Sequence, residues 1–176
     1  MSKCYFQLSS TDWIFSGAAV EAAREGLFAI AISADGNSTA QIPYTRLTSE
    51  PDSNLTKSAE VYSNLTIKFL AELLKYGLLE VLPKNTILNL NYPGTANCPT
   101  VDSFKFVFAR MNEHENAADL DLNMCKRTRL PTENTVIGSG CYVSVSLVNA
   151  TNKADASVRT QVELYNRLQP LFSCLP

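Results

Sequence analysis

The stretch Phe15-Ser-Gly-Ala-Ala-Val-Glu-Ala-Ala-Arg-Glu-Gly26 runs directly into Leu27-Phe-Ala-Ile-Ala-Ile-Ser33. Ser16 has the side chain of a good N-cap and Gly26 suits a left-handed C-cap, so the spacing predicts a helix from about Ser16 to Gly26. Ala18, Ala19, Ala22 and Ala23 leave that helix narrow enough to lie close against a sheet. Leu27–Ser33 is a short apolar run before the Asp35-Gly36-Asn37 turn, which suits a strand covered on both faces. A small-residue helix feeding a buried strand is an α/β unit. Where such a helix starts, free backbone N–H groups and the positive end of the helix dipole can hold an anion. Ser16 and Gly17 stand at that expected start. On local pattern alone the plain N-cap is the favoured reading, because many helices begin with Ser and bind nothing.

The remaining pattern extends the α/β reading. Residues 37–52 are polar, with Pro43 and Pro51, and read as a loop. From Asp52 or Ser53 to about Tyr76 the apolar residues Leu55, Ala59, Tyr62, Leu65, Phe69 and Leu73 recur at helical spacing, and Gly77 can end the helix. Thr86–Tyr92, Phe104–Ala109 and Cys141–Val148 alternate apolar and polar residues at period two and predict strands. Residues 112–135 are polar and charged and read as an irregular excursion. A last helix is expected over about Ala156–Leu171, with Val158, Val162, Tyr165 and Leu168 on its apolar face.

The chain of 176 residues can bury a sizeable core in one domain. A net charge of -2 without a basic stripe argues against a nucleic-acid partner. No apolar run reaches the roughly 20 residues of a membrane-spanning helix. The first residues lack the apolar core and cleavage site of a signal peptide. Yet four glycosylation sequons begin at Asn37, Asn54, Asn64 and Asn149, which raises the expectation of a secretory-pathway protein. Cysteine usage leans the same way. Cys98, Cys125, Cys141 and Cys174 form no C-x-x-C pair and allow three pairings, of which Cys98–Cys125 with Cys141–Cys174 is the expected one. Each bridge would contribute about 3–4 kcal/mol through loop closure. Cys4 is left over, and the unpaired thiol suggests sequence upstream of Met1.

Familiar catalytic patterns are absent. His114, the only histidine, lies in the charged segment Asn112–Asn116 and reads as a solvated surface residue. Asp119 and Asp121 are spaced i, i+2 in a polar segment and read as solvated rather than metal-binding. There is no G-x-S-x-G elbow, and Ser144 and Ser146 belong to a strand pattern. No P-loop or G-x-G-x-x-G occurs.

The chain resembles the SurE-type survival-protein family of acid phosphatases and nucleotidases, most closely its fungal secreted branch. The segments that carry the likeness are Phe15–Gly26, Ala29–Ser33, Glu50-Pro-Asp-Ser-Asn-Leu-Thr-Lys57, Leu88-Asn-Leu-Asn-Tyr-Pro93, Thr128-Arg-Leu-Pro-Thr-Glu133, and Cys141–Ser146 through to Cys174-Leu-Pro176. The resemblance implies a Rossmann-like α/β fold lacking its N-terminal strands, with a β-rich C-terminal extension. Residues 1–14 would be an atypical segment and 15–176 one partial domain. It further implies a divalent metal (Mg or Mn), hydrolysis of a phosphate monoester or nucleoside monophosphate, and Ser16 and Gly17 as phosphate contacts. A homodimer is also allowed. The family's metal ligands come from an Asp-Asp-Gly strand end, a loop serine and a Gly/Asn-rich loop, and none is matched here. The family's Ser-Gly-Thr is Ser16-Gly17-Ala18, so a hydroxyl is lost as well. The resemblance therefore leaves two expectations, an impaired phosphatase or a non-catalytic homologue or truncated product that acts as a binding protein.

Overall fold

The computed structural model describes residues 10–35, 43–75, 77, 82–114, 116 and 118–176, with side chains in the first helix from Gly17 onward. Four strands form one mixed sheet: β1 (Ile30–Ala34), β2 (Thr86–Tyr92), β3 (Lys105–Ala109) and β4 (Tyr142–Asn149), in the order β1-β2-β4-β3. β1 pairs with β2 in parallel, with Ile32 opposite Leu90. β4 runs antiparallel to β2, with Asn89 opposite Ser146, and parallel to β3, with Phe108 opposite Val145. The fold is mixed α/β, consistent with a Rossmann-like arrangement.

Because side chains alternate along a strand, each face of the sheet collects one half of every pattern. One face presents Leu88, Leu90, Tyr92, Phe106, Phe108, Val143, Val145 and Leu147. It is covered by α3 (Asn54–Leu74) through Val61, Leu65, Phe69 and Leu73, and by α5 (Val158–Leu168) through Leu164 and Leu168. The other face is covered in two separate places. α1 (Ser10–Arg24) packs Ala19, Val20 and Ala23 on Ala29, Ala31, Ile87, Val148 and Ala150. The short helix α4 (Glu133–Gly138) packs Val136 on Val107 and Ala109. One further turn of helix, α2 (Arg46–Ser49), precedes α3.

The helix ends follow local chemistry. Ser53 caps α3 by accepting the Thr56 N–H at 3.2 Å, and Gly77 follows the helix with φ of 78°. The expected bounds of that helix and of β2 agree with the structure, apart from Tyr76, which lies outside the described residues. Four expectations are corrected. α1 begins at Ser10, well before Ser16. α4 occupies the end of the stretch expected to be irregular. In α5 the buried face is Gln161, Leu164 and Leu168, while Val158 and Val162 are exposed. The face is rotated because Gln161 is drawn inward: its Oε1 accepts the Leu122 N–H at 3.0 Å and its Nε2 donates to Asp121 at 2.9 Å.

The fourth correction concerns the disulfides. The bridges are Cys98–Cys141 and Cys125–Cys174, each with Cα atoms 5.7 Å apart. Topology explains the first. Cys98 lies on the approach to β3 and Cys141 immediately precedes β4, and these strands are parallel neighbours whose starts lie side by side. The second follows from the tail. Ser173 N–H bonds the Phe106 carbonyl at 2.8 Å, which carries Cys174 past β3 to the Met124–Arg127 turn. Cys4 lies outside the described residues.

Candidate functional site

Arg24, at the C-terminal end of α1, donates to the carbonyls of Ala150 and Thr151, just beyond β4. That end of β4 pairs with the start of β2 at Thr86. The N-terminal half of α1 is therefore directed toward the C-terminal ends of β1 and β2. In open α/β sheets this is the edge where ligands bind. Gly17 is exposed there, and a Cβ at this position would meet nothing within 4 Å.

The helical start expected at Ser16 does not form. Ser16 and Gly17 stand inside α1, where backbone N–H groups bond carbonyls four residues back. A helix-start cradle made of free amides is thus not what these two residues present. What they share with a ligand crevice is position.

Beneath this edge the sheet carries a polar strip whose members the sequence does not mark as one unit. Ser33 Oγ donates to Asn91 Oδ1 at 2.5 Å, and Asn91 Nδ2 donates to Ser144 Oγ at 3.1 Å. One register step further, Asn89 Nδ2 donates to Glu133 Oε1 at 2.7 Å, and Ser146 Oγ donates to the same oxygen. The signal was present in Asn89-Leu-Asn91 and Ser144-Val-Ser146, whose i, i+2 spacing puts each pair on one face. Glu133 had no such signal; it reaches the strip because α4 crosses that face.

Burial pushes the Glu133 carboxyl above its ordinary 4.5, outweighing the hydrogen bonds from Ser146 and Asn89 that favour the carboxylate, and Asp155 adds repulsion. In the window above 4.5 the folded state then holds more proton than the unfolded state. Stability contributed by the neutral carboxyl falls as pH rises through that window. Glu133→Gln keeps an acceptor for both donors and removes the ionisation. We expect a higher thermal midpoint than wild type at pH 8 and no gain at pH 4, measured by circular dichroism. A loss at pH 8 would contradict this account of Glu133.

A second polar cluster lies beyond the strip. Arg110 follows β3 and is almost fully buried. Its guanidinium meets Asp121 at 3.1 Å and Asp155 at 3.3 Å. His114 Nε2 lies 2.8 Å from Asp121 Oδ2 and touches Arg110. Thus His114 and Asp121, expected in solvent, are both buried, with side-chain exposures of 9% and 3%. Asp119 is exposed, as expected. Burial alone would raise the Asp121 pKa. Hydrogen bonds from Gln161, the Leu130 N–H and His114, together with the Arg110 charge, outweigh it and hold the carboxyl below its ordinary value.

The sequence profile described as Survival protein SurE matches residues 8–118. The chain belongs to the SurE family. Membership suggests a phosphatase or nucleotidase kind of function, and the family is generally divalent-metal dependent. Among curated proteins none matches the chain. In this SurE chain the matched segment holds α1, β1, β2, Ser33, Asn89 and Asn91; Glu133, Ser144 and Ser146 lie beyond it.

The carboxylates among the described residues do not fit a divalent-metal site. Among the described residues no group of three or more His, Cys, Asp or Glu is placed to hold an ion. Asp121 and Asp155 are neutralised by Arg110, and Glu133 is occupied by hydroxyl and amide donors.

Proposed function

We propose that this chain acts on phosphate monoesters, with nucleoside monophosphates as the substrate class, at the edge formed by α1 and the C-terminal ends of β1 and β2. The observation that carries the proposal is the SurE match across the elements that build this edge. Ser16 and Gly17 are the residues assigned to the phosphate. At Gly17 the absence of a side chain leaves the helix surface open to close approach. Ser33, Asn91 and Ser144 form the polar floor, whose mutual hydrogen bonds fix their orientation. Mg or Mn is the metal expected from the family. The described residues do not fit it.

The test is phosphate release from a nucleoside monophosphate by the purified chain, with Mg or Mn and after chelation by EDTA. Activity that needs added metal and falls about ten-fold or more in Ser16→Ala or Gly17→Val is expected, the size of a lost bond to a charged group. Saturable nucleotide binding without any turnover would support the binding-protein reading instead. Absence of both would reject the proposed site.

The exposed positions of Asn54 and Asn64 on α3 support a glycosylated, secretory-pathway protein. Mass analysis of protein expressed through a secretory pathway tests this: hexosamine at either asparagine is expected, and unmodified peptides at both would oppose it.

A further inference from the structure

The two disulfides stand in opposite surroundings. Cys98 is 2% exposed and belongs to the apolar core, and its partner Cys141 is half-buried. Cys174 is exposed, and its partner Cys125 is half-buried. The turn that carries Cys125 is closed by reciprocal backbone bonds between Met124 and Arg127, at 3.0 and 2.9 Å. Its central residues, Cys125 and Lys126, have φ of 55° and 59°. Both occupy the left-handed region, which a residue with a Cβ enters at a cost.

Positive charge gathers at this turn. In Cys125-Lys-Arg-Thr-Arg129 all three cations are exposed. Among the described residues no carboxylate pairs with Lys126 or Arg127. Arg127 and Arg129 line one surface crevice together with Cys125, Cys174 and Leu175. The bridge therefore opens onto a basic recess. Beyond it the tail runs on to Leu175, which packs on the cluster of Val107, Ala109 and Val136. The bridge thus holds in place a side chain that braces α4.

We infer that Cys125–Cys174 is a site of thiol–disulfide exchange, at which a small anionic thiol becomes joined to Cys174. The incoming thiolate sulfur attacks Cys174 Sγ in line with the bridge, from the solvent side. A new S–S bond forms, the Cys125–Cys174 bond breaks, and its electron pair leaves on Cys125 Sγ. One disulfide replaces another, so the thiol is the only co-reactant. The departing thiolate forms in the recess of Arg127 and Arg129, which stabilise its charge. The same cations draw an anionic thiol toward the bridge. Neither condition holds at Cys98–Cys141. Attack at Cys141 would expel a thiolate into the apolar core, and Cys98 itself is shielded from solvent. Exchange frees Cys174 from the turn and lets Leu175 leave α4.

The test is exposure of the purified full chain to excess reduced glutathione, any thiol at Cys4 having been alkylated first. Brief iodoacetamide pulses trap Cys125 as it is released, and peptide mass mapping locates the products. Glutathione on Cys174 with alkyl on Cys125 is expected about ten-fold or more sooner than any labelling of Cys98 or Cys141. The rate should rise in proportion to glutathione concentration. Lys126→Gln with Arg127→Gln changes exposed positions only and should slow exchange by about five-fold at an unchanged thermal midpoint. Amide exchange at Val136, whose N–H bonds the Thr132 carbonyl, should quicken in the adduct. Opening of both bridges at one rate overturns the inference, as does glutathione found on Cys125 instead of Cys174. So does an unaltered rate in the double variant. A rate that levels off with glutathione concentration would overturn it too, because the chain would then be unfolding before it reacts. Unchanged protection at Val136 would overturn the release of Leu175.

Discussion

Removing the Cys125–Cys174 bridge by Cys125→Ala with Cys174→Ala is expected to lower the unfolding free energy by about 4 kcal/mol, as is removing Cys98–Cys141. The bridges span 49 and 43 residues, and loops of such length confer nearly equal entropy on the unfolded chain when released. Together they would remove about 8 kcal/mol, against about 5–15 kcal/mol for a typical folded domain. Denaturant unfolding of each double variant measures this, and reduced wild type should be largely unfolded at 37 °C. The same variants discriminate between pairings. Cys98→Ala with Cys141→Ala should expose no new free thiol, because Cys125 and Cys174 stay joined. The pairing of nearest cysteines would release two. A thiol titration showing two additional groups would overturn the observed connectivity.

Arg110→Met carries the second large effect. The guanidinium faces Asp121 and Asp155, and among the described residues no other formal cation pairs with either carboxylate apart from His114 when protonated. Methionine preserves much of the stem but leaves two buried charges without their counter-charge. Breaking a buried pair in this way costs about 3–5 kcal/mol. The acid dependence has a definite sign. The Asp121 pKa is held down in the folded state, so its stabilisation is present above its ordinary 3.8 and is lost as pH falls through the lower folded value. In the variant the orphaned carboxylates take up protons more readily. The destabilisation measured at pH 7 should shrink at pH 4. An equal loss at both would mean that packing, rather than charge, is what Arg110 supplies.

The strands were legible because one face of the sheet is apolar and the other mixed, which writes period two into Thr86–Tyr92 and Tyr142–Asn149. α3 was legible for the analogous reason at helical period. The start of α1 was not. Ser16 has the local chemistry of a cap, but nothing at Ser16 stops the helix from continuing back to Ser10. His114 and Asp121 were misplaced together because their burial depends on Arg110 lying at the end of β3, where the following segment folds back. Polarity told of solvent, whereas the residues satisfy one another inside. The disulfides depended on strand order, which no spacing between cysteines reveals. In the candidate site the asparagine and serine pairs were visible as patterns, while their meeting with Glu133 rests on a six-residue helix whose amphipathic repeat is too short to read.

The position of β4 also bears on synthesis. It is the last strand to leave the ribosome, yet it stands between β2 and β3. A nascent chain that ends before Tyr142 holds β1 and β2 on one side and β3 on the other, with no strand to join them. The edge that β2 offers to β4 therefore waits, unpaired, through the translation of some fifty residues, from Tyr92 to Tyr142. Long-range pairing of this kind delays folding and leaves apolar strands open to misassociation. Closure of the sheet is consequently a late event, and the crosslink between Cys98 and Cys141 can form only when it is imminent. A stop codon between β3 and β4 would leave two fragments of a sheet rather than a smaller one.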